Sequence, residues 1–157
     1  MRISLLLVAT LLAACRGSAR PGTDTTPVAD RAGLTRVITA QLERAADDWN
    51  RGDLDGFLSD YAAESTTTYV DGRRARAGID FIRSVYAPRF SPGVDRGTLH
   101  FEEIEVRPLS GTLALVTARF ILQRRSASNA SGPFTLVMER RGTEWKILHD
   151  HSSSDPR

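Results

Sequence analysis

The chain is poor in several residues that announce chemistry. It has one cysteine, Cys15, so no disulfide can form within the chain, and if that thiol is modified none remains as a nucleophile or metal ligand. It has three histidines, two of them close together as His149 and His151. Neither sign of charge prevails: 21 basic and 19 acidic residues leave a formal net charge of +2. The basic pairs Arg73-Arg74, Arg124-Arg125 and Arg140-Arg141 are scattered and read as solvated turns, so no nucleic-acid partner is expected. No apolar run approaches the roughly twenty residues of a membrane-spanning helix.

What the sequence does have begins at its first residue. Met1-Arg2 precedes an apolar stretch from Ile3 to Leu12, and Leu12-Ala13-Ala14-Cys15 closes it with small residues. One positive charge, about ten apolar residues and a small-residue break are the grammar of a secretory signal. Leu-Ala-Ala-Cys resembles the lipobox of bacterial lipoproteins, which implies cleavage after residue 14 and lipidation of Cys15. The expected address is the bacterial cell envelope, with the domain lipid-anchored and facing the periplasm. Arg16 in place of a retention aspartate favours the outer membrane. Residues 15–31 carry Gly, Pro, Ser and Thr without apolar periodicity and read as a flexible tether. Residues 32–157 then hold one domain, and the full chain, at 41% hydrophobic and 25% charged residues, has an ordinary globular composition.

Within that domain, Leu34, Val37, Ile38, Leu42, Ala45 and Trp49 share a stripe at helical spacing, predicting a helix over about 34–50. Gly52 suits its end, and Asp53 suits the cap of a second helix that buries Leu54, Phe57, Leu58 and Tyr61. Residues 66–70 read as a short strand, Asp71-Gly72 as a turn, and 79–87 as a third helix halted by Pro88. From Thr98 the pattern turns to strands. Leu99 and Phe101 alternate, then Ile104 and Val106 continue out of phase, predicting a β-bulge at Glu102-Glu103. Further strands are expected over 113–123, 134–140 and 144–152. Helices first and antiparallel strands last make an α+β fold. A curved antiparallel sheet wrapped on the N-terminal helices would form a cone with an interior pocket.

Three stretches carry a family likeness. Trp49-Asn50-Arg51-Gly52-Asp53-Leu54-Asp55-Gly56-Phe57 resembles the first helix-turn-helix of the nuclear-transport-factor-2-like superfamily. Trp145-Lys146-Ile147-Leu148-His149-Asp150-His151-Ser152-Ser153 resembles its last strand, especially in SnoaL-like proteins and the association domain of calcium/calmodulin-dependent kinase II. Gly78-Ile79-Asp80-Phe81 resembles the third helix of that association domain. The likeness covers residues 34–154 and implies the α+β cone and a homodimer formed through the sheet. Fold does not carry function. Where ketosteroid isomerase has its helix-one tyrosine this chain has Ala45, and its base falls at or beside Tyr69. Where the kinase association domain has a carboxylate-binding arginine this chain has Ser152.

Strand alternation puts His149 and His151 on one face, about 6.6–6.8 Å apart, with Asp150 on the other. They are the catalytic candidates, as a general acid/base pair. A metal would need a third ligand from another element, Asp71 or Glu139, and neither a metal nor a cofactor is expected. Trp145 and Ile147 fall on the histidines' side by simple alternation, which also allows a structural role in a sheet or dimer interface. Trp49, Tyr61 and Tyr69 are candidate pocket residues with polar tips. Arg119 is a candidate to neutralise a ligand acid, or to pair with Glu139. Three functions stay open: an envelope-anchored binder of a small apolar or acidic molecule without chemistry of its own; a SnoaL-like isomerase, cyclase or dehydratase using His149 or His151; and a dimerisation or interaction module.

Overall fold

The computed structural model describes residues 31–71 and 75–156. The signal segment 1–14, Cys15, nearly all of the tether, Gly72 and the Arg73-Arg74 pair lie outside the described residues. The elements run α1 (Arg31–Arg51), α2 (Leu54–Leu58), β1 (Thr68–Val70), β2 (Ala75–Ala77), α3 (Ile79–Tyr86), a 3-10 turn (Ala87–Phe90), β3 (Thr98–Pro108), β4 (Leu113–Gln123), β5 (Ala130–Arg141) and β6 (Glu144–Ser152). The helices lead and the long strands follow, so the fold is α+β as expected.

Most of the stripe read from the sequence is the buried face of α1, which packs Ile38, Leu42, Ala45, Ala46 and Trp49 into the core, with Leu34 partly buried against it; Val37, also read into that stripe, instead faces solvent. This helix starts at Arg31, earlier than periodicity alone predicts. Arg31 is drawn in by a tertiary contact, its Nε donating to the Val106 carbonyl at 3.2 Å. The C-terminal end of α1 is fastened to β3. Asn50 Nδ2 donates to the Leu99 carbonyl at 3.0 Å, and the Leu99 amide returns a bond to Asn50 Oδ1 at 2.8 Å. Asp53 caps α2 as its sequence position suggests, its carboxylate accepting from the Gly56 amide at 2.8 Å.

Six strands form one sheet in the order β2-β1-β6-β5-β4-β3. The sheet is curved and unclosed. All neighbours are antiparallel except β1 and β6, which run parallel. Strand β2, which periodicity does not predict, is a three-residue exposed edge. Helix α1 lies along β3, and the core fills the space between the helices and the concave face of the sheet.

Two bulges decide which side chains reach that side. In β3 the register shifts between Glu102 and Glu105, with Glu103 at φ 53°. This is the bulge read from the phase slip, and it lets Leu99 and Val106 both enter the core while Phe101 and Ile104 pack against it. In β6, Met138 pairs with Ile147 whereas Val137 pairs with His149, so Leu148 is the extra residue. Trp145 and Ile147 point inward before it, and Asp150 is the buried residue after it. Simple alternation across this strand, which put Trp145 and Ile147 on the histidines' face, is therefore corrected: the extra residue reverses the parity, and the two apolar side chains share a face with Asp150.

Candidate functional site

A cavity of about 300 Å³ opens between α1, α2, α3 and the concave face of the sheet. That lies at the lower end of the range for small-molecule sites. Its wall is mostly apolar: Trp49 and Phe57 from the helices, Phe101 from β3, Phe120 from β4, Phe134 from β5 and Ile147 from β6 all contribute. The aromatic rings interlock edge to face. Phe57 and Tyr86 stand 5.0 Å apart between centroids, Trp49 and Phe90 5.1 Å, and Tyr69 and Tyr86 5.7 Å. Such packing fixes the rings and keeps the cavity's shape without a ligand.

The polar groups of the cavity cluster on Asp150, a residue only 4% exposed. Tyr61 donates its hydroxyl to Asp150 Oδ2 at 2.6 Å, and Ser152 Oγ donates to Oδ1 at 2.8 Å. Burial pushes the Asp150 carboxyl above the usual carboxylate range, and the two donors and the nearby histidines only partly oppose it. The Tyr86 ring packs edge to face against Tyr69 and borders the cavity beside Tyr61 and Asp150. Burial first, and the negative charge of Asp150 next, hold Tyr61 and Tyr86 well above their ordinary values; burial also raises Tyr69. All three phenols therefore stay protonated and able to donate. A second buried acid, Asp60, also borders the cavity. Its Oδ1 is paired with Arg44, and its Oδ2 has no hydrogen-bond partner among the described residues. Burial raises this carboxyl to about 6 against the pull of Arg44. Arg89, in the 3-10 turn after α3 and stacked over the Tyr86 ring, is the one basic side chain of the cavity lining among the described residues.

The residues singled out in the sequence divide between two faces. Trp49, Tyr61 and Tyr69 line the cavity. His149 and His151 do not: they lie on the outer side of β6, their rings 6.5 Å apart. His149 Nδ1 shares a 2.6 Å hydrogen bond with the hydroxyl of Thr68 on β1. The geometry thus gives the histidines no contact with a guest in the cone, because the Leu148 bulge turns Asp150 inward in their stead. Among the described residues no three histidine, cysteine or acidic groups converge as a metal site, and Asp71 and Glu139 do not complete one with the histidines. Arg119 is likewise absent from the cavity and pairs with Asp155 rather than Glu139, its strand position facing outward opposite Pro133. Sequence reading overlooked Asp150, Tyr86, Asp60 and Arg89 as site residues. Their one available sign was two polar residues in phase, Asp150 and Ser152, in a strand otherwise rich in core residues.

Comparison with known proteins gives the same architecture. A family model described as a SnoaL-like domain matches residues 38–156. A nuclear-transport-factor-2-like protein of unknown function from Shewanella oneidensis is 31% identical, with a TM-score of 0.71, over 76% of this chain and 98% of its own. A protein from Novosphingobium aromaticivorans provisionally described as a scytalone dehydratase shares the fold at 12% identity and a TM-score of 0.67, covering 80% of this chain and 86% of that one. One from Xanthomonas campestris, provisionally described as a calcium/calmodulin-dependent protein kinase II association domain, does so at 19% and 0.61, covering 78% and 88%. No curated protein matches the sequence. With the family model spanning most of the chain and the cone in place, the chain belongs to the SnoaL-like family of the nuclear-transport-factor-2-like superfamily.

Proposed function

We propose that this domain binds a small, largely apolar molecule carrying a carbonyl or hydroxyl oxygen, and moves a proton on it through Asp150. The observation that carries the reading is a buried carboxyl of raised pKa at the wall of an aromatic cavity, among three phenols that remain donors. An enolisation uses these parts. The Asp150 carboxylate takes a proton from carbon next to the carbonyl, and the electron pair moves onto the carbonyl oxygen. A neutral tyrosine hydroxyl, Tyr69 or Tyr86, donates to that oxygen, and Asp150 returns the proton at a second carbon. In this reading Asp150 takes the role that sequence alone gave to His149 or His151.

The mostly apolar wall also favours a second reading, a binder without chemistry. The two separate in one experiment. 2-Naphthol reports occupancy of the cavity by its fluorescence, and a panel of β,γ-unsaturated cyclic ketones in deuterated water reports proton transfer by NMR. The enzyme reading expects naphthol to bind and at least one ketone to exchange or isomerise. Asp150→Asn should then slow that reaction by about 10²-fold or more while naphthol binding stays. Binding with no exchange across the panel favours the binder, and absence of both rejects a guest in the cone.

Two further parts of the proposal concern the whole protein. Lipidation of Cys15 would hold the domain at the envelope membrane, the signal-like segment 1–14 and its Leu-Ala-Ala-Cys end being the support. A homodimer would form through the outer sheet face, where Leu115 and Val137 face each other across β4 and β5 and are only half-buried in the single chain. The histidines then lie near that interface. Sedimentation at micromolar concentration should show a dimer that Leu115→Arg converts to a folded monomer; a monomeric wild type rejects this part.

A further inference from the structure

The C-terminal residues do more than end the chain. Ser152, Ser153 and Ser154 all border the cavity. Beyond β6 the chain stays beside the start of β5: the Ser153 amide donates to the Pro133 carbonyl at 3.1 Å, and the Asp155 amide donates to the Ser131 carbonyl at 2.8 Å. Asp155 fastens this segment through its side chain as well. It pairs with Arg119 of β4 and accepts a hydrogen bond from Ser131 Oγ at 2.6 Å. Gly132 makes the close approach possible, since a Cβ there would stand 1.8 Å from the Ser153 carbonyl oxygen. Ser152, at the root of the same segment, donates to Asp150.

We propose that Asp155 is a positioning residue for the cavity: by fastening residues 153–155 to Arg119 and Ser131 it builds one wall of the site and seats the Ser152 hydroxyl on Asp150. Arg119, read from sequence as a ligand contact, then acts on the ligand through this latch. Release of the latch frays the last pair of β6, Phe134 with Ser152, and removes one of the two side-chain donors to Asp150. The consequence for chemistry rests on the proton-transfer reading; the positioning itself does not.

The test therefore includes readouts that need no ligand. Asp155→Ala removes the latch from its outer end, and Gly132→Ala displaces the same segment from within. In both, the amides of Ser153 and Asp155 should exchange with solvent faster than in the wild type. The Asp150 carboxyl, followed by carbon-13 NMR, should titrate at higher pH, because a hydrogen bond to its charged form is lost. The groups that face Asp150 (Tyr61, Tyr69 and Tyr86) and the histidines that act on it by charge from the other face of β6 (His149 and His151) are unchanged, so a common upward shift in both variants reports Ser152. Asp155→Asn, which keeps one oxygen able to accept from both Ser131 and Arg119, should restore part of the wild-type titration. Naphthol release, measured by stopped flow, should quicken by roughly fivefold or more. Faster amide exchange with an unmoved Asp150 titration and unchanged release would make Asp155 merely structural and overturn the proposal, as would unchanged exchange in both variants. If the titration moves but the wild type binds no naphthol, the positioning role stands and the ligand reading falls.

Discussion

Asp60 and Asp150 are both buried acids, but their surroundings differ. Asp150 has a donor on each oxygen, whereas Asp60 has an exposed arginine on one and, among the described residues, no hydrogen-bond partner on the other. An acid raised from 3.8 to about 6 binds its proton more tightly folded than unfolded. Its linkage to folding therefore favours the native state at low pH and is lost as pH rises between about 4 and 6. Asp60→Asn should remove this dependence. Relative to the variant, the wild type should lose up to about 3 kcal/mol across that window, read from urea unfolding at a series of pH values. A constant difference from pH 4 to 7 would show that Asp60 is not shifted. At this scale the site was only half legible. Tyr61 and Tyr69 were visible because aromatic residues with a polar tip sit at core spacing. Asp150 was hidden because its orientation depends on a neighbour's extra backbone unit and not on its own chemistry.

Elements were far more legible than the site they build. The stripe of α1, the Asp53 cap, the limits of β4 and β6 and the β3 bulge all follow from local spacing. Local spacing fails where a contact from far along the chain sets the boundary. Arg31 is helical because β3 receives its side chain, and β5 begins at Ala130 because β4 extends the ladder to Leu122 opposite it. The β6 bulge is the same kind of failure. No phase slip marks it, since Leu148 is apolar like the inward residues before it. The clamp between α1 and β3 makes a prediction at this scale. Asn50→Ala removes both bonds to the Leu99 backbone and should cost about 1–2 kcal/mol in urea unfolding. Its effect should appear first as faster amide exchange at Leu99, and an unaltered Leu99 would show that the clamp does not hold the strand.

For the whole molecule, the proposed anchor and the cone have separate requirements. Cys15→Ser should move the protein from the membrane fraction to the soluble fraction of its host while leaving thermal unfolding of the domain unchanged. Full membrane retention would reject the lipid reading. Among the described residues no helix is long and apolar enough to cross a membrane.

The surplus residue in β6 has a genetic corollary. Losing the single codon for Leu148 would set His149 directly after Ile147, still opposite Val137, and bring the strand back into step with β5. The imidazoles of positions 149 and 151 would keep their outward facing and the carboxylate between them its place in the chamber, because the deletion removes the surplus unit and its change of parity together. Length variation at this one position therefore leaves the inner lining of the vessel unaltered.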